Sequence, residues 1–95
     1  MNLTQLFTDD KPVQATKLFS TTDGTVSTLR ILAGSQLKEH ITKVPALLVC
    51  VNGEAVFNNE KGEVIPLLPG DYVNIEPMVK HWVDGIQDSQ FLLVK

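Results

Sequence analysis

The sequence predicts an all-β fold, an antiparallel β-sandwich or barrel, and three observations lead to this prediction. Short runs rich in Val, Ile, Leu and Phe are separated by turn residues along nearly the whole chain. Helical periodicity is confined to residues 2–7, because Pro12 limits any helix that begins there. Finally, about eight short strands with turns at regular intervals are typical of sandwiches and barrels.

The first half of the chain contains three of the predicted strands. Residues 15–20 and 26–33 form a hairpin around Asp23-Gly24, a dipeptide that favours the positive φ angles of a tight turn. Gly34-Ser35 ends the second strand. The third strand, 45–51, is almost continuously apolar, so both of its faces must be covered. We expect one face to line the barrel and the other to pack on a second sheet or a partner subunit.

The second half of the chain supplies five more short strands. Turn residues separate them: Asn58–Gly62 is a second hairpin signal, Pro69-Gly70-Asp71 is a turn, and Glu76-Pro77 is a bend. The strands themselves are predicted at 55–57, 64–68, 72–75, 81–83 and 91–94.

Size, charge and cysteine content restrict the class of protein. Ninety-five residues with a net charge of −3 fit one domain, 1–95, and the scattered basic residues give no electrostatic reason to expect nucleic acid. The longest apolar run, 44–51, is too short to cross a bilayer, and the first ten residues do not resemble a secretory signal. A lone Cys50 suits a reducing compartment. We therefore expect a cytoplasmic protein without nucleic-acid or membrane partners.

Two segments carry a family resemblance. Residues 34–53 read GSQLKEHITKVPALLVCVNG, and residues 70–85 read GDYVNIEPMVKHWVDG. These resemble the two motifs of the cupin superfamily, whose fold is a jelly roll or double-stranded β-helix. Gly34, His40 and Gly53 occupy their places in the first motif, and Gly70 and His81 occupy theirs in the second. The resemblance implies a small single-domain cupin.

Two of the five departures from the two motifs fall on metal-ligand positions. Cupins that bind a metal resemble one another in a site of three histidines and one carboxylate. Here Thr42 stands at the second His position and Ala46 at the Glu position, so only His40 and His81 remain. In the second motif Glu76, Met78 and Gly85 replace Pro, Gly and Asn. The resemblance therefore implies a degenerate metal site.

A catalytic transition metal needs about three protein ligands, and two imidazoles would hold it weakly. An unbroken strand over 40–50 would place His40, Thr42 and Cys50 on one face. Cys50 could then be a soft third ligand, although a free cysteine is more often a small buried hydrophobe. We predict no cofactor, and a divalent transition metal at His40 and His81 is the alternative.

These observations favour a small cupin that binds a small, largely apolar molecule in the barrel lumen. An apolar pocket with a few polar groups is the usual composition of a ligand site. The predicted ligand-binding residues are His40, Thr42, Cys50, Met78 and His81. One alternative is a metal-dependent enzyme, an isomerase or dioxygenase, as the wider superfamily implies. The other is a non-catalytic sensory or partner-binding module.

A homodimer is also expected, because small cupins commonly pair their sheets and a domain of this size has a small core. Leu47, Val49 and Val51 would form the outer face of the apolar strand. Alternation places Tyr72 and Trp82 opposite their inward neighbours, at an interface or rim, where amphipathic aromatics are frequent.

Overall fold

The computed structural model describes residues 1–95 as two antiparallel β-sheets packed face to face. Nine strands follow a single turn of 3₁₀ helix at Leu3–Gln5. The strands are β1 Val13–Ser20, β2 Thr25–Ile31, β3 Gln36–His40, β4 Ala46–Asn52, β5 Ala55–Asn59, β6 Val64–Leu67, β7 Tyr72–Ile75, β8 His81–Gly85 and β9 Ser89–Val94. Sheet A has the order β1-β2-β9-β4-β7, and sheet B has the order β3-β8-β5-β6.

The core lies between the two sheets and is filled by apolar side chains from both. Phe91 of sheet A and Phe57 of sheet B are the largest fully buried side chains. Around them pack Leu29, Ile31, Ala46, Leu48, Cys50, Ala55, Leu67, Val73, Ile75 and Val83. Strands β2 and β4–β9 supply this core, and alternate residues of β2, β4, β5 and β7 point into it, as the pleat of a β-strand requires. The predicted all-β fold is confirmed.

Strand β4 shows how the apolar run is used. Ala46, Leu48 and Cys50 are buried in the core, whereas Leu47 and Val49 are half-buried on the outer face of sheet A. The prediction that one face of this strand lines the interior is therefore confirmed.

The sequence interpretation misses one break. The interval 41–45 separates β3 from β4, so residues 40–50 do not form the unbroken strand on which the shared face of His40 and Cys50 depended. The strand count is accordingly nine, and β3 is the additional strand.

Both expected hairpins are present, although one turn differs from its prediction. Strands β1 and β2 pair antiparallel on either side of Asp23-Gly24, with one register shift between Lys17 and Phe19. Neither turn residue has a positive φ, and the Thr21 N–H donates to the Gly24 carbonyl at 2.8 Å. At the turn between β5 and β6, the side-chain oxygen of Asn59 accepts the N–H groups of Lys61 and Glu63. An Asn side chain commonly stabilises a turn in this way.

The N-terminal segment packs across the outer face of sheet A. The side chain of Gln90 donates to the Leu3 carbonyl, and the Arg30 guanidinium donates to the carbonyls of Phe7 and Asp9. The same guanidinium lies 5.4 Å from the centre of the Phe7 ring, a cation–π contact. These contacts bury Gln90 and Thr28 on a face of the sheet that would otherwise be wet.

No helix in the structure is both long enough and apolar enough to span a bilayer.

Candidate functional site

Two histidines meet at one end of sheet B. His40 ends β3 and His81 begins β8, and the two residues are cross-strand partners. Their ring centres lie 4.1 Å apart with the planes inclined by 59°. His40 is exposed, while His81 is only 2% exposed and stacks at 5.6 Å on Phe57. This cluster is called the histidine pair below.

A β-bulge brings the two rings together. In the β3–β8 ladder Leu37 faces Val83, but three residues later it is His40, not Glu39, that faces His81. The extra residue of a bulge shifts the parity of a strand, so Leu37 and His40 both lie on its inner side. Gln36 anchors the ladder beyond the bulge by donating to the carboxylate of Asp84 at 2.8 Å.

Backbone carbonyls fix the orientation of both rings. The Nδ1 atom of His40 lies 2.8 Å from the Lys38 carbonyl, and that of His81 lies 3.3 Å from the Val79 carbonyl. Because a carbonyl oxygen can only accept, each Nδ1 must carry the proton, and each neutral ring then presents an unprotonated Nε2.

The environment of His81 favours its neutral form. Burial, followed by the neighbouring His40, lowers the pKa of His81 below its ordinary value, and the Val79 carbonyl opposes this only in part. The Nε2 of His81 forms no hydrogen bond within the chain. This Nε2 atom is nevertheless partly accessible to solvent. The only fully buried side-chain nitrogen or oxygen atoms without a hydrogen-bond partner are Arg30 Nε and Thr42 Oγ1, so the unpartnered His81 Nε2 is not fully buried.

Two other predicted site residues, Thr42 and Met78, lie outside the strands, in the loop after β3 and in the turn before β8. Thr42 follows His40 by two residues and is 6% exposed, and its buried hydroxyl has no hydrogen-bond partner. The carbonyl of Thr42 accepts the Met78 N–H at 2.8 Å, which joins the loop after β3 to the turn before β8. Met78 itself is 62% exposed. The ligand-binding roles of these residues remain predictions.

Cys50 lies elsewhere in the core. Ala46 stands at the carboxylate-ligand position of the motif, and Cys50 lies four residues further along β4, about 13 Å away at the usual rise of a strand. The Cys50 thiol instead contacts the Asn52 carbonyl. Burial, and then the charge of Asp71, raise the pKa of this thiol. The thiol therefore stays protonated and poorly suited to metal binding.

The residues present do not fit the metal that the fold implies. No three His, Cys, Asp or Glu side chains lie close enough together to hold an ion, so Cys50 does not join the histidines as a third ligand. Thr42 and Ala46 add no strong ligand. Two imidazoles that bind one ion at about 2.1 Å with a tetrahedral angle would hold their ring centres about 5 Å apart. The observed distance between the ring centres, 4.1 Å, is shorter and is that of two rings in contact with each other.

A groove of about 570 Å³ ends at the histidine pair. It runs along β3, the edge strand of sheet B, beside the start of β1, the edge strand of sheet A. Its walls are Pro12, Val13, Gln36, Leu37, Lys38, Glu39 and His40. Of the predicted site residues, only His40 lines it. Sequence reasoning missed the rest of this groove, because no local signal shows that β1 and β3 lie side by side.

The rim near the histidine pair carries paired charges. Lys80 lies 3.9 Å from Glu39, and Lys61 forms an exposed salt bridge with Glu76 at 2.7 Å. The Glu76 carboxylate is therefore already paired with Lys61. Exposed ion pairs of this kind contribute little to stability.

No protein-family model matches the sequence, and no curated protein matches it either. Solved structures do resemble it. An RmlC-like cupin from Desulfovibrio desulfuricans superposes with a TM-score of 0.85 at 21% identity, covering 99% of this chain and 92% of that one. A cupin superfamily protein from Desulfitobacterium hafniense gives 0.84 at 19% identity, with 95% and 82% coverage.

The KdgF protein of a Halomonas species gives a TM-score of 0.82 at 20% identity, covering 99% of this chain and 87% of that one. Likeness at these identities concerns the fold alone, and it agrees with the two antiparallel sheets described above. The resemblance read from the sequence is therefore confirmed at the level of the fold. This chain has the cupin fold, in the form of a small single barrel.

Proposed function

We propose that this protein binds a small, largely apolar molecule in the groove between β1 and β3, with the polar end of the ligand at the histidine pair. The observation that carries the proposal is that the groove ends at His40, which contacts His81. The volume of the groove, about 570 Å³, falls within the range of small-molecule sites.

The proposed ligand site lies at the side of the barrel, whereas the sequence analysis predicted a site in the lumen. Phe57, Phe91 and ten smaller apolar side chains fill the space between the sheets. The groove is separate from that packed core, although Val13 and Leu37 belong to its walls and also pack on the core. A bound molecule would thus contact the core without displacing it.

Equilibrium binding against a metabolite panel tests the proposal. The unmodified protein is compared with His40→Ala and His81→Ala, and we expect at least one compound whose affinity falls in both variants. If no compound binds, or if both variants bind as tightly as the unmodified protein, the proposal is wrong.

A second set of variants tests the location of the site. Pro12→Trp places a large side chain in the wall of the groove, whereas Pro66→Trp makes the same change at an exposed position of β6, on the opposite edge of sheet B. Pro12→Trp should abolish the binding found in the panel, and Pro66→Trp should leave it unchanged. Equal effects of the two variants would place the ligand elsewhere.

A second copy of this chain is the proposed macromolecular partner. The outer apolar strip of sheet A consists of Leu47, Val49, Leu92, Val94 and Tyr72, which are adjacent across β9, β4 and β7. All five are half-buried or exposed in the single chain, and none is charged, so two copies of the strip can meet without like-charge repulsion. A small single core also gains stability from such an interface.

The cytoplasm is the proposed location, and the support is chemical. Cys50, the single cysteine, is a buried thiol with no disulfide partner.

A further inference from the structure

The histidine pair specifies one property of the ligand. This inference rests on the proposed function, since it concerns the molecule that occupies the groove. We infer that the molecule presents a neutral hydroxyl group, which donates its one hydrogen bond to an Nε2 atom of the histidine pair.

The first step is the direction of the hydrogen bonds at the pair. Both Nδ1 atoms face a carbonyl two residues earlier in the chain, Lys38 for His40 and Val79 for His81. Both rings are thereby held in the same tautomer, with the proton on Nδ1. The Nε2 atoms are then two acceptors on rings that touch, and neither can donate to the other.

The second step is that both acceptors are free. Neither Nε2 forms a hydrogen bond within the chain; His40 is exposed and His81 is 2% exposed. A ligand that displaces water from the pair must supply a donor itself, because an acceptor left without one costs binding energy. A carboxylate or an ether oxygen cannot do so, because each can only accept.

The third step distinguishes a neutral donor from a cation. Lys80 immediately precedes His81, and Lys38 precedes His40 by two residues. Glu39 lies 3.9 Å from the Lys80 ammonium, and the Glu60 carboxylate accepts the Lys80 backbone N–H, so these charges balance. A hydroxyl is favoured over an ammonium group because a full charge would have to lose its hydration beside the buried His81 and Phe57.

Three probes that share the benzyl group test the inference: benzyl alcohol, benzyl methyl ether and benzylamine. Binding is measured by protein-observed NMR, with Leu37 and Val13 reporting on the groove and a long-range ¹H–¹⁵N spectrum reporting on both imidazoles. We expect Nδ1–H tautomers in the free protein and an alcohol affinity about fivefold above that of the ether, the value of one hydrogen bond. The alcohol alone should shift the Nε2 resonances.

The variant His40→Phe provides the matched control. It keeps a ring of similar size at an exposed position but removes one acceptor, so the preference for alcohol should fall while ether binding is retained. An unchanged preference would overturn the inference, because the acceptor would then be irrelevant.

Failure of the inference and failure of the proposed function give different results. If alcohol and ether bind the groove equally, if the amine binds best, or if either ring carries its proton on Nε2, the groove remains the site and the hydroxyl inference is overturned. If none of the probes shifts Leu37 or Val13, the groove does not bind molecules of this class, and the proposed function is itself contradicted.

Discussion

His40 and His81 face each other across the β3–β8 ladder, with ring centres 4.1 Å apart. Their contact depends on the bulge that sets His40, instead of Glu39, opposite His81. The same two positions carry metal ligands in metal-binding cupins, as the motif resemblance implies. In this chain the two rings contact each other and present acceptors at the end of a groove. The two histidines therefore keep their places in the fold although the other two ligand positions carry Thr42 and Ala46.

The pH dependence of stability should depend on His81. Because burial and His40 lower its pKa in the folded state, the unfolded chain binds more protons once the pH falls below about 6.5. The contribution of His81 is therefore complete above that pH and is lost as the pH falls through the folded pKa. Urea unfolding between pH 5 and pH 8 should show the unmodified protein losing stability faster on acidification than His81→Gln, by at most about 1.4 kcal/mol per pH unit. Parallel curves for the two proteins would contradict the assignment.

Met78 should be replaceable by glycine with a gain in stability. It is the only non-glycine residue with a positive φ, 65°, and it stands where the second cupin motif has glycine. A side chain in this region costs about 1 kcal/mol, and glycine removes the cost. Met78→Gly should raise the free energy of unfolding by up to that amount, measured by denaturant titration. Met78→Ala keeps the β-carbon and should give no such gain, so equal effects would exclude backbone strain as the cause.

Gly85 should tolerate no side chain. A β-carbon at this position would lie 2.6 Å from the Leu32 carbonyl oxygen and 2.9 Å from a methyl group of Ile31. The departure from the motif, glycine in place of asparagine, thus has a steric reason. Gly85→Asn should destabilise the fold by about 2 kcal/mol or more. Gly62→Asn is the matched control, because that turn is open and asparagine accepts its positive φ, and it should cost well under half as much.

A charge in the outer apolar strip should separate the proposed dimer. Val49 lies at the centre of the strip, between Leu92 and Tyr72 on the neighbouring strands. Val49→Lys should yield a monomer in sedimentation or light-scattering measurements at concentrations where the unmodified chain is a dimer, since an interface core does not tolerate an unpaired charge. Val64→Lys, at an exposed site on sheet B, should not change the mass. A monomeric unmodified chain would disprove the dimer directly.

The sequence by itself determined the all-β class and most of the strands, because turn residues and alternating apolar residues are local signals. Tyr72 and Val73 show this: the first is exposed and the second buried, as their alternation predicts. The two motifs also identified the fold and both histidines. These features depend on residues that are close in sequence, which periodicity and spacing describe well.

Only the tertiary structure decided what surrounds the histidines. The bulge at Lys38–Glu39 and the break at 41–45 change which side chains share a face, and a single inserted residue reverses the alternation on which a sequence interpretation depends. As a result, Cys50 lies in the core away from the pair. The groove exists because two edge strands, β1 and β3, from different sheets lie side by side. That contact is long-range, and no pattern within either strand encodes it.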